Sequence, residues 1–143
     1  MTRSTYIIAE AGVNHNGSVQ TAKELILAAK DTGADAIKFQ TFKASELILE
    51  DTKKAAYQRN EKDESQFAML KNLELSKDDF KDLKNFSHEN KIEFLSSAFD
   101  MDSLDFLISL DLTKYKIPSG ELTTKPFLKK LGKINKPLIL STG

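Results

Sequence analysis

The chain has 143 residues, 21 of them basic and 21 acidic, and no cysteine. That length suits one globular domain with a core, the zero formal net charge excludes the basic footprint of a nucleic-acid binder, and the missing thiols exclude disulfides, thiolate metal sites and a cysteine nucleophile. No stretch reaches the roughly 18 apolar residues that cross a bilayer, and the apolar run in MTRSTYIIAEAG is too short for a secretory signal, so a cytoplasmic protein is expected.

The apolar pattern alternates between short runs and longer stretches with helical spacing, which is a strand–helix text. YIIAE (6–10) reads as a buried strand. SVQTAKELILAAKDTG (18–33) reads as a helix with Val19, Ala22, Ile26 and Ala29 on one face and Gly33 closing its C-terminus. DAIKFQ (35–40) is a second strand. A connection from Thr41 to Leu75 follows, much longer than the usual 2–6 residues or so, with a helical piece of its own in DESQFAMLKNLEL (63–75). Such an insertion suits a lid or substrate loop, or equally a solvated excursion rich in Lys, Asp and Glu, as in EDTKKAAYQRNEKDES (50–65).

Ser76 and Asp79 have capping-box spacing ahead of a helix over 76–90, with Phe80, Leu83 and Phe86 as its buried stripe. IEFLSS (92–97) is the third strand. Asp100 caps a helix in MDSLDFLISL, with Met101, Leu104, Leu107 and Ile108 turned inward, and KYKIPS (114–119) is the fourth strand. A helix from Thr123 or Thr124 carries Pro126 in its first turn, and KPLILSTG supplies the fifth strand. Repeated strand–helix units imply parallel strands with right-handed crossovers, hence the N-terminal part of a (β/α)8 barrel or a five-strand flavodoxin-like sheet. A whole barrel needs about 250 residues, so this chain would supply its first half.

In parallel α/β folds, ligands bind beyond the carboxyl ends of the strands. There the sequence places Glu10 on the first strand, Lys38 and Gln40 on the second, Ser96 and Ser97 on the third, Lys116, Ser119 and Glu121 on the fourth, and Ser141 and Thr142 on the fifth. A lone lysine at a strand end usually snorkels to water, and a lone serine there usually caps a helix. The case rests on convergence. Lys38 and Gln40 are two apart and share a face, and if Ile37 and Phe39 meet the helices then both polar side chains point into the barrel. An enclosed lysine needs a charged partner, and an anionic ligand such as a phosphate or carboxylate would be one, with Lys116, Ser97, Ser119 and Ser141 converging on it.

NHNG (14–17) serves equally as turn chemistry or as a substrate contact through Asn14 or His15. His88 lies on the polar side of its helix. Two histidines so far apart, with no carboxylate at motif spacing, make no recognisable metal site within the chain.

Five segments, IIAEAGVNHNG, GADAIKFQTFKA, FLSSAFD, YKIPSGE and LILSTG, stand in an order and spacing that resembles the N-terminal half of the sialic acid (N-acetylneuraminate) synthase family, including the legionaminate synthases. The resemblance covers essentially the whole chain. It implies a (β/α)8 barrel followed by a small antifreeze-like domain, a homodimer, and a divalent metal, Mn²⁺ or Mg²⁺. It also implies a reaction in which phosphoenolpyruvate condenses with the open-chain aldehyde of an N-acetylated amino sugar and phosphate is released. On that resemblance Lys38, Ser97, Lys116, Ser119 and Ser141 are expected to contact phosphoenolpyruvate. Glu10 is the expected catalytic acid, near the metal-bound water, and Gln40, Glu121, Asn14 and His15 are expected at the sugar. The metal-binding histidines and the antifreeze-like domain with its arginine are expected beyond Gly143.

Two departures lean toward the legionaminate branch: Pro118 replaces a glycine of the sialic acid enzymes, and KFQTF replaces a histidine-containing version. Two other readings stay open. One is a class I aldolase using Lys38 or Lys116 as a Schiff-base amine, and the other a non-catalytic half-barrel that binds an anion. Half a barrel also leaves strand edges and apolar surface uncovered, so self-association of the isolated chain is expected.

Overall fold

The computed structural model describes residues 5–48 and 66–143, so the charged tract 50–65 lies outside the described residues. Five parallel strands, β1 (Ile8–Gly12), β2 (Ala36–Thr41), β3 (Glu93–Ala98), β4 (Tyr115–Ile117) and β5 (Leu138–Leu140), alternate with helices. The helices are α1 (Val19–Asp31), α2 (Ala44–Leu47), α3 (Gln66–Leu73), α4 (Lys77–Glu89), α5 (Met101–Ser109) and α6 (Lys125–Gly132). β2 pairs with β1 on one side and β3 on the other, and β4 pairs with β5. Strands that neighbour one another in chain order make an arc of a (β/α)8 barrel; a flavodoxin-like sheet would put the first strand between the second and third.

Local signals account for most of the elements. Ser18 caps α1 by accepting from the Thr21 N–H, and Gly33 follows it at φ +81°, where a glycine carries no Cβ penalty. Ala22, Ile26 and Ala29 are the buried face of α1, as their spacing predicts. The expected capping box forms in full: the Ser76 side chain accepts from the Asp79 N–H while the Asp79 carboxylate accepts from the Ser76 N–H. Asp100 caps α5 through Ser103, and Pro126 sits in the first turn of α6 after Thr124.

Three expectations need correcting. The first strand starts at Ile8, not Tyr6, and continues through Glu10 to Gly12 with a register shift against β2 between Glu10 and Gly12. Tyr6 and Ile7 are exposed. Met101 is also exposed; Phe106 joins Leu104 and Leu107 in the core, because a cap at Asp100 rotates the first helical residue outward. The short helix α2, unforeseen, occupies the start of the long connection, held by the Ala44 N–H donating to Glu74 at 3.1 Å.

The core lies between strands and helices. Ile37 and Phe39 of β2 and Phe94 of β3 face outward onto Ile26 of α1, Phe80 and Leu83 of α4, and Leu104 and Leu107 of α5. Phe39 and Phe94 stack with centroids 5.6 Å apart. On β5 the corresponding outward residues, Leu138 and Leu140, are exposed, Leu140 by 56%. β4 lies beside β3 without a hydrogen-bonded ladder joining the two blocks.

At the N-terminal ends of the strands, side chains supply what the missing ladder does not. The Glu93 carboxylate accepts from Lys114 Nζ at 2.5 and 2.7 Å and from the hydroxyls of Thr113 and Tyr6, and the Lys114 ammonium lies 4.4 Å over the Tyr6 ring. One carboxylate thus ties β3 to the chain entering β1 and β4.

The β1–α1 loop is fixed by turn bonds, Asn14 N–H to Ala11 O at 2.9 Å and Asn16 N–H to Val13 O at 3.0 Å. Gly17, at φ +76°, packs so tightly on the end of α3 that a Cβ there would collide with the Asn72 carbonyl oxygen. Gly17→Ala is therefore expected to cost more than about 1 kcal/mol, through both backbone strain and displacement of α3. A urea midpoint equal to that of the unchanged chain would contradict this packing.

Candidate functional site

Register decides which polar side chains meet. Glu10 pairs with Lys38 across β1 and β2, Lys38 with Leu95 and Gln40 with Ser97 across β2 and β3, and Lys116 with Ile139 across β4 and β5. Partners in a parallel ladder share a face, so Glu10, Lys38, Gln40, Ser97 and Lys116 all lie on the inner face, opposite the helices.

The adjacent serines of β3 separate accordingly. Ser96 turns to the helix side and shares a buried 2.7 Å hydrogen bond with Thr41. Ser97 turns inward, and its Oγ is buried with no partner among the described residues.

Lys38 Nζ reaches both Glu10 oxygens, at 2.9 and 2.7 Å. The lysine side chain is only 11% exposed and the glutamate 52%, so the pair has one end in the wall and one in the mouth. Gly12 makes room for it: a Cβ there would stand 3.2 Å from Glu10 Oε1 and 3.7 Å from Gln40 Nε2. The bulge at Gly12 thus lets the carboxylate and the amide converge, and Glu10 sits within the strand just before that bulge instead of ending it.

Lys116 is arranged differently. Its Nζ donates to Ser141 Oγ at 2.6 Å and to the Ile117 carbonyl at 2.9 Å, and it has no ion pair among the described residues. Burial, and after it the charge of Lys38, lower its amine from the ordinary lysine value, while Glu10 works weakly the other way. Two cations therefore share one half-exposed carboxylate, leaving an excess of positive charge at the rim for an anion to neutralise.

The other expected residues are less gathered. Ser119 is exposed in a 3-10 turn after β4, Glu121 half-buried in the same turn, and Asn14 exposed on the β1–α1 loop. His15, expected as a sugar contact, is only 1% exposed and does not face the rim: its ring centroid lies 6.1 Å from that of Phe39, whose side chain packs on the helix side. Nδ1 accepts from the Gly17 N–H at 3.1 Å, which fixes the Nε2–H tautomer, and burial pushes the imidazole below its ordinary pKa so that it stays neutral. His15 thus braces the loop from beneath. Among the described residues no three His, Cys, Asp or Glu side chains come together to hold a metal ion.

Relatives match this chain along nearly its whole length, while the chain covers only part of theirs. It is 54% identical over 140 residues to the N,N'-diacetyllegionaminic acid synthase of Legionella pneumophila, covering 96% of this chain and 39% of that protein. It is 51% identical over 143 residues to the N,N'-diacetyllegionaminic acid synthase of Campylobacter jejuni, covering 43% of that protein. The crystal structure of an N-acetylneuraminic acid (sialic acid) synthetase from Leptospira borgpetersenii, in complex with citrate, superposes with a TM-score of 0.82 at 30% identity, over 99% of this chain and 45% of that one. The chain spans about two fifths of the length of these curated relatives. Residues 25–143 match the NeuB family model, and the chain belongs to the NeuB family.

Proposed function

We propose that this chain is the phosphoenolpyruvate-holding part of a nonulosonic acid synthase, which joins phosphoenolpyruvate to the open-chain aldehyde of an N-acetylated, mannosamine-type sugar. A new carbon–carbon bond forms between the vinyl carbon and the aldehyde carbon, one water is consumed and inorganic phosphate leaves, giving a nine-carbon 2-keto acid. The observation that carries the reading is the charge arrangement at the rim: Lys38 bound to Glu10, and Lys116 bound only to neutral acceptors. That arrangement suits a ligand with a carboxylate and a phosphate, with the free Ser97 hydroxyl and Ser141 adding neutral donors.

In this reading Lys38 and Lys116 offset the ligand's negative charge, and Ser119 on the turn after β4 adds a further donor. Glu10, beside Gln40 and open to the mouth, holds or moves a proton where the sugar aldehyde reacts, and Gln40 and Glu121 orient the sugar hydroxyls. Asn14 meets the sugar from the exposed loop, and His15 acts through that loop's shape. A divalent metal, Mn²⁺ or Mg²⁺, would polarise the aldehyde when bound. The described residues do not offer a sufficient donor set for it, so its ligands would come from outside them. The rest of the barrel, an antifreeze-like domain and a second protomer would complete the enzyme. Identity to two legionaminic acid synthases supports a 6-deoxy diacetamido sugar over N-acetylmannosamine.

The test is phosphate release from phosphoenolpyruvate in the presence of Mn²⁺ and either sugar, comparing this chain with the full-length product of its reading frame. Release by the longer protein alone is expected. No release by either, with either sugar, would remove the synthase assignment.

A further inference from the structure

The two rim lysines differ in chemistry. Lys38 is held by both oxygens of Glu10 and is nearly enclosed. Among the described residues Lys116 hydrogen-bonds only a hydroxyl and a peptide carbonyl, remains partly open to the interior, and lies near enough to Lys38 to sense its charge. Of the two, Lys116 is the nucleophile, with a cation beside it that can hold an anionic group.

We propose that Lys116 is a covalent carbonyl-capture site, forming an imine with a small α-keto acid whose carboxylate lies toward Lys38. The proposal rests on the anion-site reading given above but not on turnover, and the imine stands off the condensation path. The ammonium first gives one proton to solvent. The free amine then attacks the keto carbon, forming the C–N bond as the carbonyl electron pair moves to oxygen. That oxygen takes up both remaining amine protons, relayed by solvent, and leaves as water, and a neutral C=N bond remains. No oxidant or metal enters this balance.

Exposed lysines provide the internal comparison. Lys125 and Lys129 on α6 are exposed to solvent, outside the partly enclosed rim. A ketone reacts sparingly with such amines, so selectivity must come from the rim.

The experiment treats the 143-residue chain with pyruvate and sodium cyanoborohydride, which fixes imines as secondary amines, and maps the adducts by peptide mass spectrometry. The adduct is expected on Lys116, absent from Lys38, in excess over Lys125 and Lys129, and suppressed by inorganic phosphate. Lys116→Arg should lose it. Lys116→Gln, which removes the amine without adding a guanidinium, should lose it too and serves if the arginine variant does not fold. An adduct on Lys38, an even spread over exposed lysines, no adduct, or one that phosphate leaves unchanged would each overturn the proposal. Phosphate release by the full-length protein is a separate readout: an adduct without turnover leaves capture standing and removes the synthase assignment, and turnover without an adduct does the reverse.

Discussion

Replacing Glu10 by Gln in the full-length protein is expected to lower kcat by about 10²–10⁴-fold, the range that a positioned proton-transfer group contributes. Glutamine has the same length and fits the space that Gly12 leaves, so the shape of the rim survives while its one charge at Lys38 does not. Breaking a fully buried ion pair costs about 3–5 kcal/mol, but half of the Glu10 side chain faces the mouth, and about 1–2 kcal/mol is the larger part of what stability should lose. Glu10→Ala should show the same separation with a somewhat lower melting temperature. The measurement is steady-state phosphate release beside thermal denaturation of the same preparations. Losses of kcat and stability that track one another across both variants would make Glu10 a structural residue and remove it from the chemistry.

The second large effect lies at the opposite end of the strands. Glu93→Ala removes the acceptor of Lys114, Thr113 and Tyr6 at once and leaves a lysine only 24% exposed without its partner. A loss of about 2–4 kcal/mol in urea denaturation is expected, somewhat below that for a fully buried pair. The wild-type chain should report the same cluster through pH. Burial works to raise the Glu93 carboxyl, but the hydrogen bonds from Lys114, Thr113 and Tyr6 outweigh it and hold the group below the ordinary carboxylate range. Its contribution is therefore complete above the unfolded carboxylate value of about 4.3 and is lost as pH falls through the folded value. Burial likewise works to lower the Lys114 amine, and its bonds to Glu93 and Tyr6 outweigh that and raise it, while burial and then Glu93 raise the Tyr6 phenol. Those two contributions hold below unfolded values of about 10 and are lost as pH rises through the folded ones. The variant should lose this acid dependence. An unchanged acid limb in Glu93→Ala would show that other carboxylates set it.

Much of this was legible in the residues because it is local. The Ser76–Asp79 box, the Asp100 cap and the apolar stripe of α1 depend on spacings of three and four, which the sequence displays directly. The inward pair Lys38 and Gln40 follows from the two-residue period of a strand once Ile37 and Phe39 are assigned to the core. What could not be read is nonlocal. Glu10 and Lys38 are 28 residues apart, and Glu93 and Tyr6 are 87 apart, so their meeting depends on ladder register. His15 shows the limit in another way. Its neighbours mark a polar turn, yet the ring folds under the loop onto Phe39, because the Gly17 N–H takes Nδ1 and the space beside the phenylalanine is apolar. The sequence signal for it is the Asn16–Gly17 pair, whose positive φ values let so short a loop reverse direction.

The missing ladder between β3 and β4 gives the wall a seam, and the two rims of that seam behave oppositely. At the floor, Glu93 draws the blocks together; at the mouth, Lys38 on one block and Lys116 on the other repel. A ligand anion between the two ammoniums would bridge the blocks where they repel and act as the mouth's mortar. Ligand affinity and wall rigidity then become one quantity, so amide hydrogens of β3 and β4 should exchange more slowly once the mouth is filled.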